Sequence, residues 1–321
     1  MSKTMQLKKK DIDMLHGPLG RNIFLFAIPL AFTGILQQLF NAADVAVVGR
    51  FVGKNAMAAV GSNSPIIGLL VNLFVGIALG ANVVIARFTG MENWKNVRKA
   101  VDVSIIIALV CGIFAAILGE SLATPVLKLV SVPTEVFNMS ETYLRIYLVG
   151  LPVILLYNFE SAIFRSQGDS VTPLICLAIS GVVNVILNLV FVILLDMAAG
   201  GVALATVIAN VVSSSILFWK LTHSDTPISI HKHKLEIDFS LVKMIFIIGL
   251  PAGIQSAMFS ISNICIQSAI NALGADVMAD LSLVQYIDVN AITATYTSKT
   301  VKLSGTFISN DDSNQAATIC L

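Results

Sequence analysis

The chain has 321 residues, of which 56% are hydrophobic and 12% charged, with a mean hydropathy of +0.86. A soluble globular chain carries about twice that share of charge, so the composition excludes one and points to a membrane protein. The formal net charge of +1 favours no charged partner by itself, and no nucleic-acid partner is expected.

Residues 1–21 form a polar, basic lead with Lys8, Lys9 and Lys10. The apolar run behind it is too long for a secretory h-region and carries no small-residue cleavage site, so the first span is expected to act as the insertion signal itself. Seven apolar runs are read in all, near 22–49, 58–86, 101–123, 140–164, 171–195, 200–220 and 243–271. Each is close to the roughly 20 residues that a membrane helix needs. The expected fold class is all-α: a polytopic membrane protein with a six-helix N-terminal lobe over 22–220. A polar cytoplasmic linker over 221–242 leads to the first helix of a second lobe, 243–280. His231 and His233 in that linker read as solvated, since no acid or cysteine cluster accompanies them. The four cysteines, Cys111, Cys176, Cys265 and Cys320, show no zinc or redox spacing and read as small core residues.

The first run carries the sharpest signal. Thr33, Gln37, Asn41 and Asp44 recur at i, i+4, i+8 and i+11, which places them on one helical face. An acid at membrane depth costs roughly 2.5–3.5 kcal/mol on insertion scales, so it is rare and marks function. Amides on such a face also serve as helix–helix contacts. The second run holds Ser64, Gly68, Asn72, Gly76 and Gly80 at a spacing of four, a stripe of small residues suited to close packing of another helix.

Basic residues set the orientation. With the N-terminus inside, the inner segments hold Lys3, Lys8, Lys9, Lys10, Arg21, Arg87, Lys95, Arg98, Lys99, Arg165, Lys220, Lys232, Lys234 and Lys243, fourteen in all. The outer loops hold only Arg50, Lys54 and Lys128. The excess on one side predicts a cytoplasmic N-terminus in the plasma (inner) membrane.

The seventh run resembles the first. Leu19, Ile23, Phe24 and Pro29 match Leu241, Ile245, Phe246 and Pro251, and Asn41 matches Asn263. Both copies start on the same side, which is the pattern of a parallel transporter repeat. Asp44 falls opposite Ile266, so charge chemistry is expected in the first half. The match ends near Ala279, and the tail 281–321 is polar, with SNDDSNQ at 309–315. It is expected to be the loose, non-native end of a truncated or frame-shifted chain.

Further polar residues lie within the other runs. Ser180, Asn184 and Asn188 share one face of the fifth, Asn158 and Glu160 lie in the fourth, and Thr206 lies early in the sixth. One carboxylate with several neutral oxygens suits a sodium ion, since hard cations take oxygen ligands. A lone buried carboxylate equally suits a proton. Pro29, Pro152 and Pro251 lie inside spans, where they are expected to kink helices and mark moving parts.

The Asp44 span followed by VVGRFVG, AIFRSQGDSVTP at 162–173, NVILN at 184–188 and the repeat at 241–279 together resemble the multidrug and toxic compound extrusion (MATE) family over about residues 20–280. The resemblance implies two six-helix lobes around a V-shaped cavity and export of organic cations or amphiphiles. It implies a cation site at Asp44, Asn158, Asn184, Asn188 and Thr206. Gln37, Asn41 and Glu160, as polar residues within the spans, are expected to line the substrate path. Asn188 departs from the family, which has an acid there. The implied function is a secondary active multidrug exporter, a cation antiporter coupled to sodium or protons. It needs no cofactor and no metal beyond possible sodium, and works as a monomer in the lipid bilayer. The alternatives are a lipid-linked sugar flippase of the same superfamily and a non-functional truncated membrane fragment. An enzyme is not expected, because the sequence holds no nucleophile–base pair, metal cluster or phosphate loop.

Overall fold

The computed structural model describes residues 19–223 and 238–272, with Ile228, Gly274 and Met278 besides. Residues 1–18 of the basic lead, nearly all of the linker with His231 and His233, and the tail from 281 lie outside the described residues. Every regular element among the described residues is helical. The helices are α1 (Leu19–Phe51), α2 (Lys54–Gly90), α3 (Trp94–Leu129), α4 (Thr134–Ser166), α5 (Val171–Leu189), α6 (Ala198–His223) and α7 (Phe239–Asn271). A π-helical turn, Val190–Leu194, extends α5. The seven spans are each long and apolar enough to cross a membrane, and the chain is a polytopic all-α membrane protein.

The helices outrun the apolar runs that announce them. α3 begins at Trp94 because the Asn93 side chain accepts from the Asn96 N–H at 3.3 Å and caps the helix. Its polar first turns are helical without being apolar, so a hydropathy reading trims them. The fifth run is not one uniform helix. Regular α geometry ends at Leu189 and the backbone widens into the π turn, which an unbroken apolar sequence does not announce.

The connections from α1 through α6 are short and locally determined. Gly53 turns the chain between α1 and α2 at φ +116, a value that side chains rarely adopt. Between α4 and α5, Asp169 Oδ1 accepts from the Val171 and Thr172 N–H groups at 3.1 and 2.9 Å, which starts α5. In the same motif Gln167 Nε2 donates to Thr89 Oγ1 of α2 at 2.7 Å. Each helix stays continuous through Pro29, Pro152 and Pro251. Close to Pro29, Ser170 Oγ donates to Phe26 O at 3.1 Å and Thr33 Oγ1 donates to Pro29 O at 2.8 Å.

α2 and α4 form the middle of the bundle. α2 packs on α3, α4 and α7, and α4 packs on α3 and α6. The main core follows them, with Ile85, Leu144, Leu148, Leu151, Leu155 and Phe159 fully buried. α1 lies on the flank against α5, and α5 lies against α6. Cys176 is buried and Cys111 half-buried, but Cys265 is exposed on α7 and so is not a core residue.

The small-residue stripe of α2 is where α7 lies. A Cβ on Gly76 would fall 2.1 Å from Gly253 Cα, and one on Gly80 would fall 2.3 Å from Ile245 O. Further along the same crossing, Asn72 Nδ2 donates to Ser260 Oγ at 3.1 Å. Glycine on both helices lets the two backbones touch, which is how membrane helices gain packing without a hydrophobic driving force.

Candidate functional site

The polar residues of α1, α5 and α6 converge because of one close approach. The Phe40 ring of α1 occupies the space beside Gly181 of α5, where a Cβ would fall 1.9 Å from the ring. One turn on from Phe40 is Asp44, 6% exposed; about one and two turns on from Gly181 are Asn184, 5% exposed, and Asn188, fully buried. α6 contributes Thr206.

These four side chains close a hydrogen-bonded cycle across three helices. Asn188 Nδ2 donates to Asp44 Oδ1 at 2.6 Å and to Asn184 Oδ1 at 3.2 Å. Asn184 Nδ2 donates to Thr206 Oγ1 at 3.2 Å. The Thr206 hydroxyl lies 3.3 Å from Asp44 Oδ2 and 3.0 Å from Val202 O, so its one proton is shared between two acceptors. Asn188 Oδ1 is buried and has no hydrogen-bond partner. Beside the cycle, Val45, Val48, Val192, Val202 and Ala203 form a small apolar cluster. Low local dielectric strengthens the hydrogen bonds of such a network and makes any unpaired member costly.

The other expected residues lie elsewhere. Asn158 is half-buried on α4, and its amide donates to Ile154 O of its own helix at 2.8 Å; no hydrogen bond joins it to the cycle. Gln37 and Asn41 are exposed on α1, and Asn41 Nδ2 donates to Gln38 Oε1 at 3.3 Å. On the unbroken α1 the four keep to one face, which neighbouring helices cover at Thr33 and Asp44 and leave uncovered at Gln37 and Asn41. Glu160 is enclosed between α4 and α6 at 0% exposure, not placed on an open path. It accepts from Ser214 Oγ at 2.9 Å through Oε2, while Oε1 has no partner. Ser214 was not singled out in the sequence. It was legible as the end of a polar face on α6, since Thr206, Asn210 and Ser214 recur at a spacing of four.

Sodium is the metal that the resemblance implies, and the residues can be tested against it. A hard cation is held by oxygens. Here the atom joining Asp44 Oδ1 to Asn184 Oδ1 is the Asn188 amide nitrogen, which gives protons to both. The side chains as arranged do not fit a sodium ion. Among the described residues no group of three or more His, Cys, Asp or Glu offers another metal position.

A carboxylate held among neutral donors inside a bundle of seven spans defines the class: a polytopic membrane protein with an ionisable site in its interior. The sequence model of the family described as MatE matches residues 29–190, half of the chain, and the chain belongs to that family, one of transporters rather than enzymes. Among curated relatives, a protein of Bacillus subtilis named as probable multidrug resistance protein YoeA is 28% identical over 274 residues, 83% of this chain and 59% of the relative. A second from the same organism, named as probable multidrug resistance protein YpnP, is 26% identical over 281 residues, 87% of this chain and 62% of the relative. The chain thus spans about three fifths of the length of these relatives. The fold is similar to that of a multidrug resistance MATE family transporter of the MOP superfamily in its inward-facing conformation, with a TM-score of 0.74 and 24% identity over 84% of this chain and 62% of that one. An outward-facing structure of such a transporter matches with a TM-score of 0.76 and 22% identity, over 88% of this chain and 66% of that one.

Proposed function

We propose that the chain acts in multidrug export as a secondary active transporter of organic cations or amphiphiles, working as a monomer in the plasma membrane with its N-terminus in the cytoplasm. The names of the Bacillus subtilis relatives support multidrug transport, and the excess of basic residues on one side supports the orientation. The observation that carries the reading is the setting of Asp44. It is buried, both of its oxygens are hydrogen-bonded, and both partners are neutral. Among the described residues no fixed cation is paired with it, so it is available to an ion moving down its gradient. The membrane potential supplies about 2.3 kcal/mol per charge per 100 mV for such an inward step. Because its partners lie on α5 and α6, a change at Asp44 is felt by three helices at once. That is the physical requirement for coupling, since an ion shifts a conformational equilibrium only through contacts that differ between states.

A lipid-linked sugar flippase would need a free basic residue in the bundle to meet a pyrophosphate headgroup. Arg145 is engaged by Glu120 and by Glu141, the latter at 2.9 Å, and is not free for a pyrophosphate.

The test is efflux of a fluorescent organic cation from vesicles with an imposed ion gradient. The native chain moves the probe against its gradient, and Asp44→Asn inserts normally but does not. Active efflux that persists in Asp44→Asn makes the carboxylate structural and moves the role to Glu160. No gradient-driven movement by the native chain overturns the export reading itself.

A further inference from the structure

We infer that Asn188 closes the Asp44 site to sodium and is the residue that sets its ion selectivity. The inference rests on the reading of Asp44 as the ion-coupling carboxylate and deepens it. Three observations carry it. First, the Asn188 nitrogen bridges two oxygens, 2.6 Å from Asp44 Oδ1 and 3.2 Å from Asn184 Oδ1. A cation shared by those oxygens would have to occupy the place now held by an N–H2 group. The two N–H dipoles already supply positive charge there, and they would repel a metal ion. Second, with no ion between them the amide must present its nitrogen to an ionised Asp44, because the turned-over amide would set oxygen against oxygen. A sodium ion would therefore have to turn the amide and break both of its hydrogen bonds before any oxygen of Asn188 could reach it. Third, Asn188 Oδ1, the one atom of this side chain able to ligate a cation, is buried and without a partner. The side chain therefore holds its donor in the cycle and leaves its acceptor out of it.

Charge works in the same direction. Asp44 is the only acid in the cycle, and the other three members are neutral. Stripping the water from a monovalent metal ion is costly, and one carboxylate that already accepts a hydrogen bond at each oxygen offsets little of that cost. An acid at position 188 would remove the competing donor, add an oxygen at the same place and add a second negative charge.

The experiment is sodium-dependent thermal stabilisation of the purified full chain, with choline as the matched control at constant ionic strength. A ligand that binds only the folded state raises its stability by mass action. The native chain and Asn184→Asp, which adds an acid but leaves the Asn188 amide in place, respond alike to sodium and choline. Asn188→Asp gains a saturable, sodium-specific rise in Tm that Asp44→Asn in the same background removes. Asn188→Ala, which removes the donor without adding charge, is the second variant in case Asn188→Asp does not fold, and it gains a smaller rise. Saturable sodium stabilisation of the native chain that Asp44→Asn abolishes overturns the inference. So does the absence of any sodium response in both Asn188 variants. Binding is read here without transport, so a failure of the export reading would appear in the vesicle assay and leave this result standing.

Discussion

Phe40 of α1 fills the space that every residue except glycine would occupy at position 181 of α5: a Cβ there would fall 1.9 Å from two carbons of the ring. This contact fixes how closely α1 and α5 approach, one turn from Asp44 on one side and one turn from Asn184 on the other. Gly181→Ala is expected to push the ring aside and separate the cycle. Overpacking of this kind costs about 1–3 kcal/mol, and the Tm of the purified protein should fall accordingly. Phe40→Leu in the same chain should recover part of the loss, giving a coupling term in a double-mutant cycle. Additive losses would mean that the two residues do not meet.

Thr206 joins the cycle at both ends. Thr206→Val leaves Asn184 Nδ2 and Asp44 Oδ2 each without a partner, while Thr206→Ser keeps the hydroxyl. Hydrogen bonds between membrane helices average about 0.6 kcal/mol, so Thr206→Val should lower stability only slightly. Export in vesicles should fall much further than stability, and Thr206→Ser should retain most of it. Equal export by the valine and native proteins would remove Thr206 from the coupling machinery.

Glu160 and Ser214 form a buried polar contact between α4 and α6. Ser214→Ala leaves Glu160 Oε2 as bare as Oε1 already is. An unsatisfied buried acceptor costs about 1–3 kcal/mol, so chemical or thermal unfolding should shift by that order. Glu160→Gln keeps the shape and should fold with near-native stability and retain export. Loss of export in Glu160→Gln, with Asp44→Asn still active, would exchange the roles of the two acids.

The crossing of α2 and α7 brings backbone against backbone at Gly76 and Gly253. No flexible side chain is present there to yield, so Gly76→Leu should detach α7 from α2 at a cost of about 3 kcal/mol or more. Asn72 and Ser260, hydrogen-bonded at 3.1 Å, provide the readout. Cysteines placed at both, in a chain without its native cysteines, should cross-link with a mild oxidant, and the added Gly76→Leu should abolish the link. Cross-linking that survives would show that the helices tolerate separation at this point.

Orientation is tested in intact cells with an impermeant thiol reagent. A cysteine in place of Lys128, at the α3–α4 end, should react, and one in place of Lys95, at the start of α3, should not. The opposite pattern would reverse the assignment drawn from the distribution of basic residues.

The sequence by itself determined what depends on one helix at a time. Seven apolar runs specify seven spans, because a membrane helix must satisfy its backbone internally and present apolar side chains over about 20 residues. The spacing of Asn184 and Asn188 places both on one face of α5, because 3.6 residues make a turn. The rarity of acids at that depth singled out Asp44 before any partner was known. What the sequence could not specify is which faces meet. Asn158 and Asn184 look alike as amides in apolar runs, yet Asn184 enters the cycle and Asn158 bonds its own helix. Gln37 and Asn41 share a stripe with Asp44, yet they are exposed while it is buried. Glu160 is sealed by Ser214, a residue 54 positions away. The glycines of α2 announced a close neighbour without naming α7. These outcomes depend on the depth and angle at which helices pack, set by contacts such as Phe40 on Gly181 and Gly76 on Gly253. Periodicity carries no information about a partner helix, so the tertiary structure alone decided which polar atoms of the interior face one another.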